Sequence, residues 1–277
     1  MKTAVAEDTL YFDRLYRRIR LSGTLRTVTG LHIGGRTDEV GASDLPVLRD
    51  ARDLPMIPGS SIKGVLRTTV ESLVRAFSSN RQNGDIWSCN PLAQESVSKR
   101  GREGACGAHK ANERPTDADG SCAVCRLFGS HILASHTRIS DAFVRTEPET
   151  PLVEIRDGVA IDRDCKVVSG SQKYDFEVVS PGVEFALEVF VDNLQDWSMG
   201  LLFAGFDQMA EGFTALGGGT SRGLGRVDIQ WHGILETTVK TVFHGQAPAE
   251  RTIQDWRKQF MEALHEKAQA ESRKEKN

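Results

Sequence analysis

Two helix-like segments, each followed by strand-like sequence, restrict the fold of this chain more than any other feature. Residues 16–29 (YRRIRLSGTLRTVT) alternate apolar and polar side chains, which is typical of a half-exposed strand. Residues 60–77 place their apolar side chains along one stripe, and this period predicts a helix. A second helix is predicted over residues 195–213, and the segment VDIQWHGILE after it predicts a strand.

The region between the helices, residues 137–191, carries strand-like pieces around a polar middle. RISDAFVR and VEFALEVFV predict strands, and the polar stretch between them predicts a projecting hairpin. Residues 252–277 predict a charged amphipathic helix that ends in a frayed tail. The order strand, helix, strands, helix, loop, strand indicates an α+β fold, and its simplest arrangement is a ferredoxin-like sheet with insertions.

Composition excludes some classes of protein and leaves others open. With 39% hydrophobic and 26% charged residues among 277, the chain is typical of a soluble globular protein. It has no apolar run near the roughly 18 residues of a membrane span, and its first residues are too acidic for a signal peptide, so we expect a cytoplasmic protein with no membrane partner. A net charge of −3 argues against nucleic-acid binding through overall charge, although five arginines between Arg14 and Arg26 predict a basic strand.

Four cysteines lie together in a polar, weakly periodic stretch, which predicts an insertion at residues 78–130 that is held by something other than a core. The candidate ligands are Cys89, Cys106, Cys122 and Cys125, with His109 as a substitute. Four thiolates that include a C-x2-C pair are typical of a structural Zn²⁺ site, which leaves no open position for catalysis. The alternative is a set of unlinked buried or free cysteines.

The segment LGGGTSRGLGRV, residues 216–227, is dense in glycine and arginine. It lacks the lysine and hydroxyl pair of a phosphate-binding Walker loop. A dinucleotide fingerprint needs a strand before it and a helix after it, and here that order is reversed. Glycine backbone can bring N–H groups close to a phosphate, and Arg222 and Arg226 add positive charge. A tight turn without function remains the alternative.

Two further segments carry residues of possible function. The helix start IPGSSIKGVLR favours an anion at its N-terminus, with Lys63 and Arg67 one turn apart, although an exposed charged face is the commoner meaning of such a pattern. The loop from Gly30 to Asp50 contains several acidic residues and His32, without a catalytic order or a metal-ligand spacing. From the residue patterns alone we therefore predict an anion-binding α+β protein with a zinc site.

Six segments in this order give the chain a resemblance to a known family. They are TGLHIGG, ASDLPVLRD, LPMIPGSSIKGVLR, CRLFGS, RISDAF and LGGGTSRGLGRV, which lie between Thr29 and Val227. Together they resemble the RAMP superfamily of CRISPR-associated proteins, and specifically the repeating backbone subunit of type III effector complexes. The cysteine-bearing insertion is similar to the zinc-containing backbone domains of types III-D and III-E, which favours type III-D and leaves III-A and III-B open.

The resemblance implies an architecture for the whole chain. It implies a single RAMP domain over residues 1–277, built as a modified RNA-recognition-motif (ferredoxin-like) palm. A thumb hairpin is expected at about residues 150–182, the zinc-binding insertion at 78–130, and a C-terminal helix and tail at 252–277. Copies of such subunits, or paralogous ones, stack along a guide CRISPR RNA with the other subunits of the complex, and each thumb kinks the duplex of guide and target RNA.

The resemblance also implies roles for individual residues. In the family, an aspartate in the loop before a V-x-[KR]-D segment cuts the target RNA, and that position is Asp44 here. His32 and Arg49 are candidates for support, and Mg²⁺ or Mn²⁺ is the expected catalytic cation. The residues expected to contact the RNA backbone are Ser60, Ser61, Lys63, Arg67, Gly217, Gly218, Gly219, Ser221, Arg222, Gly223 and Arg226.

The function implied is that of a guide-RNA-binding backbone subunit that is also a metal-dependent endoribonuclease acting on guide-paired RNA. The first alternative is a structural RNA-binding subunit of the same complex without catalysis. A second alternative is a nuclease that matures the guide precursor. That activity would need a histidine-based acid–base site, and the seven histidines show no paired arrangement of that kind.

Overall fold

The computed structural model describes residues 12–34, 43–77, 86–92, 105–106, 121–145 and 151–274. The strands are β1 (Arg17–Thr27), β2 (Met56–Ile57), β3 (Thr137–Ile139), β4 (Ala142–Phe143), β5 (Val153–Ile161), β6 (Val168–Val179), β7 (Glu184–Asp192), β8 (Val227–Thr238) and β9 (Ala249–Glu250). The helices are α1 (Gly59–Phe77), α2 (Ala123–Phe128), α3 (Asp196–Ala210), α4 (Val239–His244) and α5 (Ile253–Lys274).

The main sheet has the strand order β3-β7-β1-β8-β9, and every neighbouring pair in it is antiparallel. Without β9, this is the order of a ferredoxin-like β-α-β-β-α-β unit, in which β1, α1, β3, β7, α3 and β8 are the six elements in chain order. The predicted α+β, ferredoxin-like fold is confirmed. Strands β5 and β6 form a separate two-stranded hairpin, as the polar middle of residues 137–191 predicts.

The hydrophobic core lies between one face of this sheet and the helices. Ile19, Leu21 and Leu25 alternate along β1 and are fully buried. Phe203 of α3 packs edge-on against Trp231 of β8, with ring centroids 5.5 Å apart. Because side chains of a strand alternate between its two faces, the same period that buries these residues turns Arg18, Arg20 and Arg26 to the other face, whereas Arg17 is buried and pairs with Asp196 of α3.

The open face of the sheet carries the predicted basic strand, and acidic residues of the neighbouring strands pair with it. The Arg18 guanidinium lies 2.6 Å from a carboxylate oxygen of Asp192 on β7. That contact, with the hydrogen bond first and the charge second, raises the pKa of Arg18 above its ordinary value. Arg20 pairs with Glu188 of the same strand in a like manner. The positive charge of β1 is therefore largely balanced where it arises.

The described residues of the cysteine-bearing insertion, 86–92, 105–106 and 121–130, include side chains that pack into the core, a contact that was not predicted from the sequence. Trp87, the four cysteines and Leu127 of α2 belong to the same buried cluster as the sheet. Arg75 of α1 donates to the carbonyl of Cys89 at 2.8 Å. The apolar residues that make this contact are few and irregularly spaced, so no helical or strand period marks them in the sequence.

Helix α5 docks on α3 through one tryptophan and one glycine. Trp256 is 1% exposed, stacks on Phe203, and donates its indole N–H to Asp196 at the start of α3. A Cβ at Gly200 would lie 2.3 Å from the Trp256 carbonyl oxygen, so the two helices approach as closely as backbone allows.

Among the described residues, no helix combines the length and the apolar character needed to span a bilayer.

We expect two of the helical glycines, Gly64 of α1 and Gly200 of α3, to respond oppositely to alanine. Gly200→Ala forces α5 away from α3 and lowers the free energy of unfolding by about 1–3 kcal/mol. A Cβ at Gly64 meets nothing within 4 Å, so Gly64→Ala is the control and raises stability by up to about 1 kcal/mol. Urea midpoints at an unchanged m-value measure both. A wild-type midpoint for Gly200→Ala would contradict the close helix packing.

Candidate functional site

The glycine loop between α3 and β8 needs its glycines for backbone reasons. A short 3₁₀ turn, Thr220–Arg222, lies between Gly219 and Gly223, which both have left-handed backbone. Gly225 has φ +88°, and a Cβ there would lie 2.1 Å from the Leu216 carbonyl oxygen. A side chain is therefore disfavoured at Gly219 and Gly223 by the left-handed backbone, and at Gly225 by the backbone and by the close approach of Leu216. The loop presents backbone at its surface.

This loop is hydrogen-bonded to the segment that follows β1. The Gly218 N–H donates to the His32 carbonyl at 2.8 Å, and the Gly225 N–H donates to the Gly30 carbonyl at 2.9 Å. Arg222 is exposed, and its guanidinium donates to the Tyr174 hydroxyl on β6 at 3.1 Å. The loop, the segment after β1 and the base of the β5–β6 hairpin thus form one continuous surface.

Asp44 lies at the same hairpin base. Its exposed carboxylate accepts a hydrogen bond from the Asp175 N–H at 3.0 Å. The next residue, Leu45, pairs with β6 in parallel: its N–H donates to the Asp175 carbonyl at 3.1 Å, and its carbonyl accepts from the Glu177 N–H at 2.9 Å. Residues 44–45 therefore extend the hairpin as a short third strand.

The two support candidates, His32 and Arg49, also contact β6. His32 Nδ1 lies 2.7 Å from the Glu177 carbonyl oxygen, and an Arg49 guanidinium nitrogen lies 3.1 Å from the Glu177 carboxylate. The structure therefore brings His32, Asp44 and Arg49 to one strand, although they are separate along the chain. Tyr174 and Glu177 were not predicted from the sequence, because no local pattern marks their long-range contacts.

The start of α1 carries the remaining predicted RNA contacts, and they differ in accessibility. Ser60 is exposed and Ser61 is half-buried. Lys63 donates to the Ser135 hydroxyl at 2.7 Å, and burial, together with the charge of Arg67, lowers the pKa of Lys63 below its ordinary value. The first turn of the helix thus has two accessible hydroxyls and one half-buried amine.

Arg67 turns away from this surface toward the cysteines. Its guanidinium donates to Glu71 at 2.9 Å, to the Gly129 carbonyl at 3.1 Å and to the Cys125 sulfur at 3.8 Å. The structure therefore places Arg67 beside the cysteine cluster.

The four cysteines lie where one metal ion could hold them. Their sulfur atoms all lie within 4.8 Å of one another, and all four side chains are buried. Tetrahedral zinc with Zn–S bonds of about 2.3 Å separates sulfurs by about 3.8 Å, so the cluster fits the group. The cysteines are free, without a disulfide. His109, the substitute ligand, lies outside the described residues.

Electrostatics in the cluster also fit a cation. Hydrogen bonds from Cys106, and then from Cys122 and Cys125, hold the pKa of Cys89 below the ordinary thiol value. Hydrogen bonds within the same group, first with Cys106, raise the pKa of Cys125. Four buried sulfurs cannot all become thiolates without a compensating positive charge. Among the described residues, Asp44 belongs to no comparable group of three or more metal-ligating side chains.

The comparisons with known proteins agree with this geometry. The family model described as "RAMP superfamily" matches residues 24–228. Similar curated proteins include three named "CRISPR system Cms endoribonuclease Csm3". The protein of Enterococcus italicus is 30% identical over 218 residues, which cover 77% of this chain and 90% of the relative. That of Methanothermobacter thermautotrophicus is 27% identical over 274 residues, which cover 88% and 95%.

The third relative, from Methanocaldococcus jannaschii, is 27% identical over 223 residues, which cover 76% of this chain and 77% of the relative. The family match begins within β1 and spans α1, the β5–β6 hairpin and the glycine loop, so it includes the segments that form the surface described above. The chain belongs to the RAMP superfamily.

Proposed function

We propose that this chain is a guide-RNA-binding backbone subunit of a type III CRISPR effector complex, and that it cuts guide-paired target RNA with Asp44 as the essential carboxylate. The observation that carries the proposal is the meeting of Asp44, His32 and the glycine loop at the base of the β5–β6 hairpin. The names of the similar proteins, all CRISPR endoribonucleases, support the same reading. The β5–β6 hairpin would be the thumb.

The glycine loop is suited to hold RNA phosphates. The first N–H groups of a 3₁₀ turn have no partner within the turn, so the turn at Thr220–Arg222 offers donors to an anion. Arg222 and Arg226 are exposed and add positive charge. Gly217, Gly218 and Ser221 are exposed as well, which leaves room for a sugar–phosphate chain. Such contacts position RNA without reading its sequence.

The cleavage chemistry needs a group that accepts a proton. At a kinked nucleotide the 2′-oxygen can lie in line with its own 3′-phosphorus, form a bond to it and displace the 5′-oxygen of the next nucleotide. The exposed Asp44 carboxylate would accept the 2′-hydroxyl proton, while the leaving oxygen takes a proton from solvent. This carboxylate would also be the protein's ligand for Mg²⁺ or Mn²⁺, which would supply charge stabilisation.

The cysteine cluster would hold a structural Zn²⁺ ion. Four cysteine ligands close the coordination sphere, so this ion takes no part in RNA cleavage. Arg67 would offset part of the negative charge that four thiolates leave on the centre, because its guanidinium lies at the Cys125 sulfur. The metal would therefore tie the insertion to α1, the helix whose N-terminal residues Ser60, Ser61 and Lys63 are proposed to meet the RNA backbone.

One observation favours the second candidate, a structural RNA-binding subunit without catalysis. The Asp44 carboxylate caps the Asp175 N–H, and loop aspartates commonly serve in this way without any chemistry. The two functions make different demands on Asp44. A cap needs only an acceptor oxygen, whereas proton transfer and cation binding need the negative charge.

Replacing Asp44 by asparagine separates these demands. Asp44→Asn keeps an acceptor for the Asp175 N–H but removes the charge, so we expect normal assembly on guide RNA and cleavage slower by about 100-fold or more. Asp44→Ala should behave alike. The measurement is single-turnover cleavage of labelled complementary RNA by assembled complexes, with Mg²⁺ or with chelator. Cutting by Asp44→Asn at the wild-type rate would favour the structural subunit.

Removal of one arginine tests the phosphate-binding surface. Arg222→Ala should weaken guide-RNA binding equally for all sequences and make the slope of log affinity against log salt shallower by about one. Filter binding at several salt concentrations measures both. Arg257→Ala is the matched control, because Arg257 is exposed on α5 and pairs with Asp207 of α3, away from the glycine loop. Equal affinities for the Arg222 and Arg257 variants would contradict the proposal.

The zinc proposal is tested by elemental analysis. We expect one zinc per chain in the wild type and loss of most of it in Cys122→Ser, together with a lower unfolding temperature, because a buried cluster with three thiolates is an incomplete site. Cys165→Ser is the control, since Cys165 is exposed on the hairpin. Purified wild-type protein without stoichiometric zinc would contradict the proposed zinc site.

A further inference from the structure

Glu177 of β6 lies under the loop that carries Asp44, and it is only 7% exposed. Its carboxylate accepts hydrogen bonds from the Val47 N–H at 3.0 Å and from the Arg49 guanidinium at 3.1 Å. Its own N–H donates to the Leu45 carbonyl at 2.9 Å. One buried residue thus holds three alternate residues of the loop.

The same residue also touches the histidine of the site. Its carbonyl oxygen lies 2.7 Å from His32 Nδ1, so this nitrogen donates a hydrogen bond to Glu177. Glu177 therefore contacts both residues proposed to support cleavage, His32 through its backbone and Arg49 through its side chain. Among the described residues of this surface, only Glu177 is hydrogen-bonded to both His32 and Arg49.

The two kinds of contact have different dependence on charge. The Leu45 and His32 contacts use the Glu177 backbone and survive a change of side chain. The Val47 and Arg49 contacts use the carboxylate, and Arg49 is further held by its donation to the Asp53 carbonyl at 3.1 Å. A charged, buried acceptor strengthens both of its hydrogen bonds. Its loss would leave the loop held at Leu45 and at Leu48, whose N–H donates to the Ile33 carbonyl at 2.8 Å, and would loosen the stretch between these two points, next to Asp44.

We propose that Glu177 is a positioning residue, which fixes the Asp44 loop on the thumb so that the carboxylate keeps one place relative to the RNA. This inference rests on the proposed cleavage function of Asp44. Misplacement of a reacting group by about 1 Å can cost on the order of 100-fold in rate. The phosphate-binding residues Arg222 and Arg226 lie in another loop, so RNA affinity does not depend on Glu177.

A direct role for Glu177 in the chemistry is disfavoured by its surroundings. Its side chain is 9% exposed, and the donors of Val47 and Arg49 already occupy the carboxylate oxygen that faces the loop. A ligand of the catalytic cation would shift the Mg²⁺ concentration needed for half-maximal rate. A positioning residue lowers the rate at saturating Mg²⁺ and leaves that concentration unchanged.

The test is single-turnover cleavage by complexes assembled with Glu177→Gln, which removes the charge and keeps the shape. We expect the rate constant to fall by about 10- to 100-fold. Guide affinity, target affinity and the half-saturating Mg²⁺ concentration should stay at their wild-type values. Glu154→Gln is the control, because that carboxylate is exposed on β5 and pairs with Arg156 of its own strand. It should cut at the wild-type rate.

Arg49 supplies the second arm of the test. Because Arg49 and Glu177 would act through one contact, Arg49→Ala with Glu177→Gln should be no slower than the slower single variant. If Glu177→Gln does not assemble, Arg49→Ala alone is measured, and it should show the same loss of rate with unchanged affinity.

The outcomes separate this inference from the function on which it rests. Wild-type cutting by Glu177→Gln, beside inactive Asp44→Asn, would overturn the positioning role and leave the proposed function standing. Fully additive losses in the double variant, or a raised Mg²⁺ requirement, would overturn it too. Wild-type cutting by Asp44→Asn would instead remove the proposed function, and the positioning role with it.

Discussion

The hydrogen-bond ladders on both edges of β1 are the interaction on which the rest of the structure depends. They pair Thr27 at the end of β1 with Val227 at the start of β8, and Arg26 with Glu184 at the start of β7. Antiparallel pairing thus brings the exit of β1 and the entries of β7 and β8 to one end of the sheet. The segment after β1, the hairpin before β7 and the glycine loop before β8 therefore meet there.

The helical layer makes a second junction, between α1 and the cysteine cluster. Glu71 of α1 is buried and lies between two arginines, Arg67 at 2.9 Å and Arg75 at 3.3 Å. Arg67 continues to the Cys125 sulfur, and Arg75 continues to the Cys89 carbonyl. A buried carboxylate between two guanidiniums is costly to disrupt, because the loss of one partner leaves a buried charge uncompensated. Helix α1 is therefore attached to the cysteine cluster at two of its members, Cys125 and Cys89.

Much of the fold follows from periods that are local in the sequence. The alternation in β1 and the apolar stripe of α1 predict those elements at close to their observed bounds. The four cysteines, which include the C-x2-C pair, were predicted as one group, and the structure brings them together. Helix α2 was not predicted, because six residues are too few to show a helical period. The burial of Trp87 was missed for a similar reason, since its neighbours in space come from distant parts of the chain.

The site was predictable only in part, and the limit is again long-range contact. The glycine density of residues 216–227 indicates a backbone surface, and the structure explains each of the constrained glycines by conformation or by close approach. Asp44 was predicted to be the catalytic residue because its position in the motif ASDLPVLRD resembles that of the aspartate in the RAMP family. Nothing near Asp44 in the sequence indicates that Asp175 and Glu177, about 130 residues away, hold its loop.

The short third strand at residues 44–45 has a mechanical consequence. Because Leu45 pairs with β6 and Asp44 caps Asp175, a tilt of the β5–β6 hairpin relative to the sheet carries Asp44 along with it. Under the proposed function, the hairpin and the carboxylate would move together, so the distance between Asp44 and a nucleotide bound at the hairpin base would change little during such a motion.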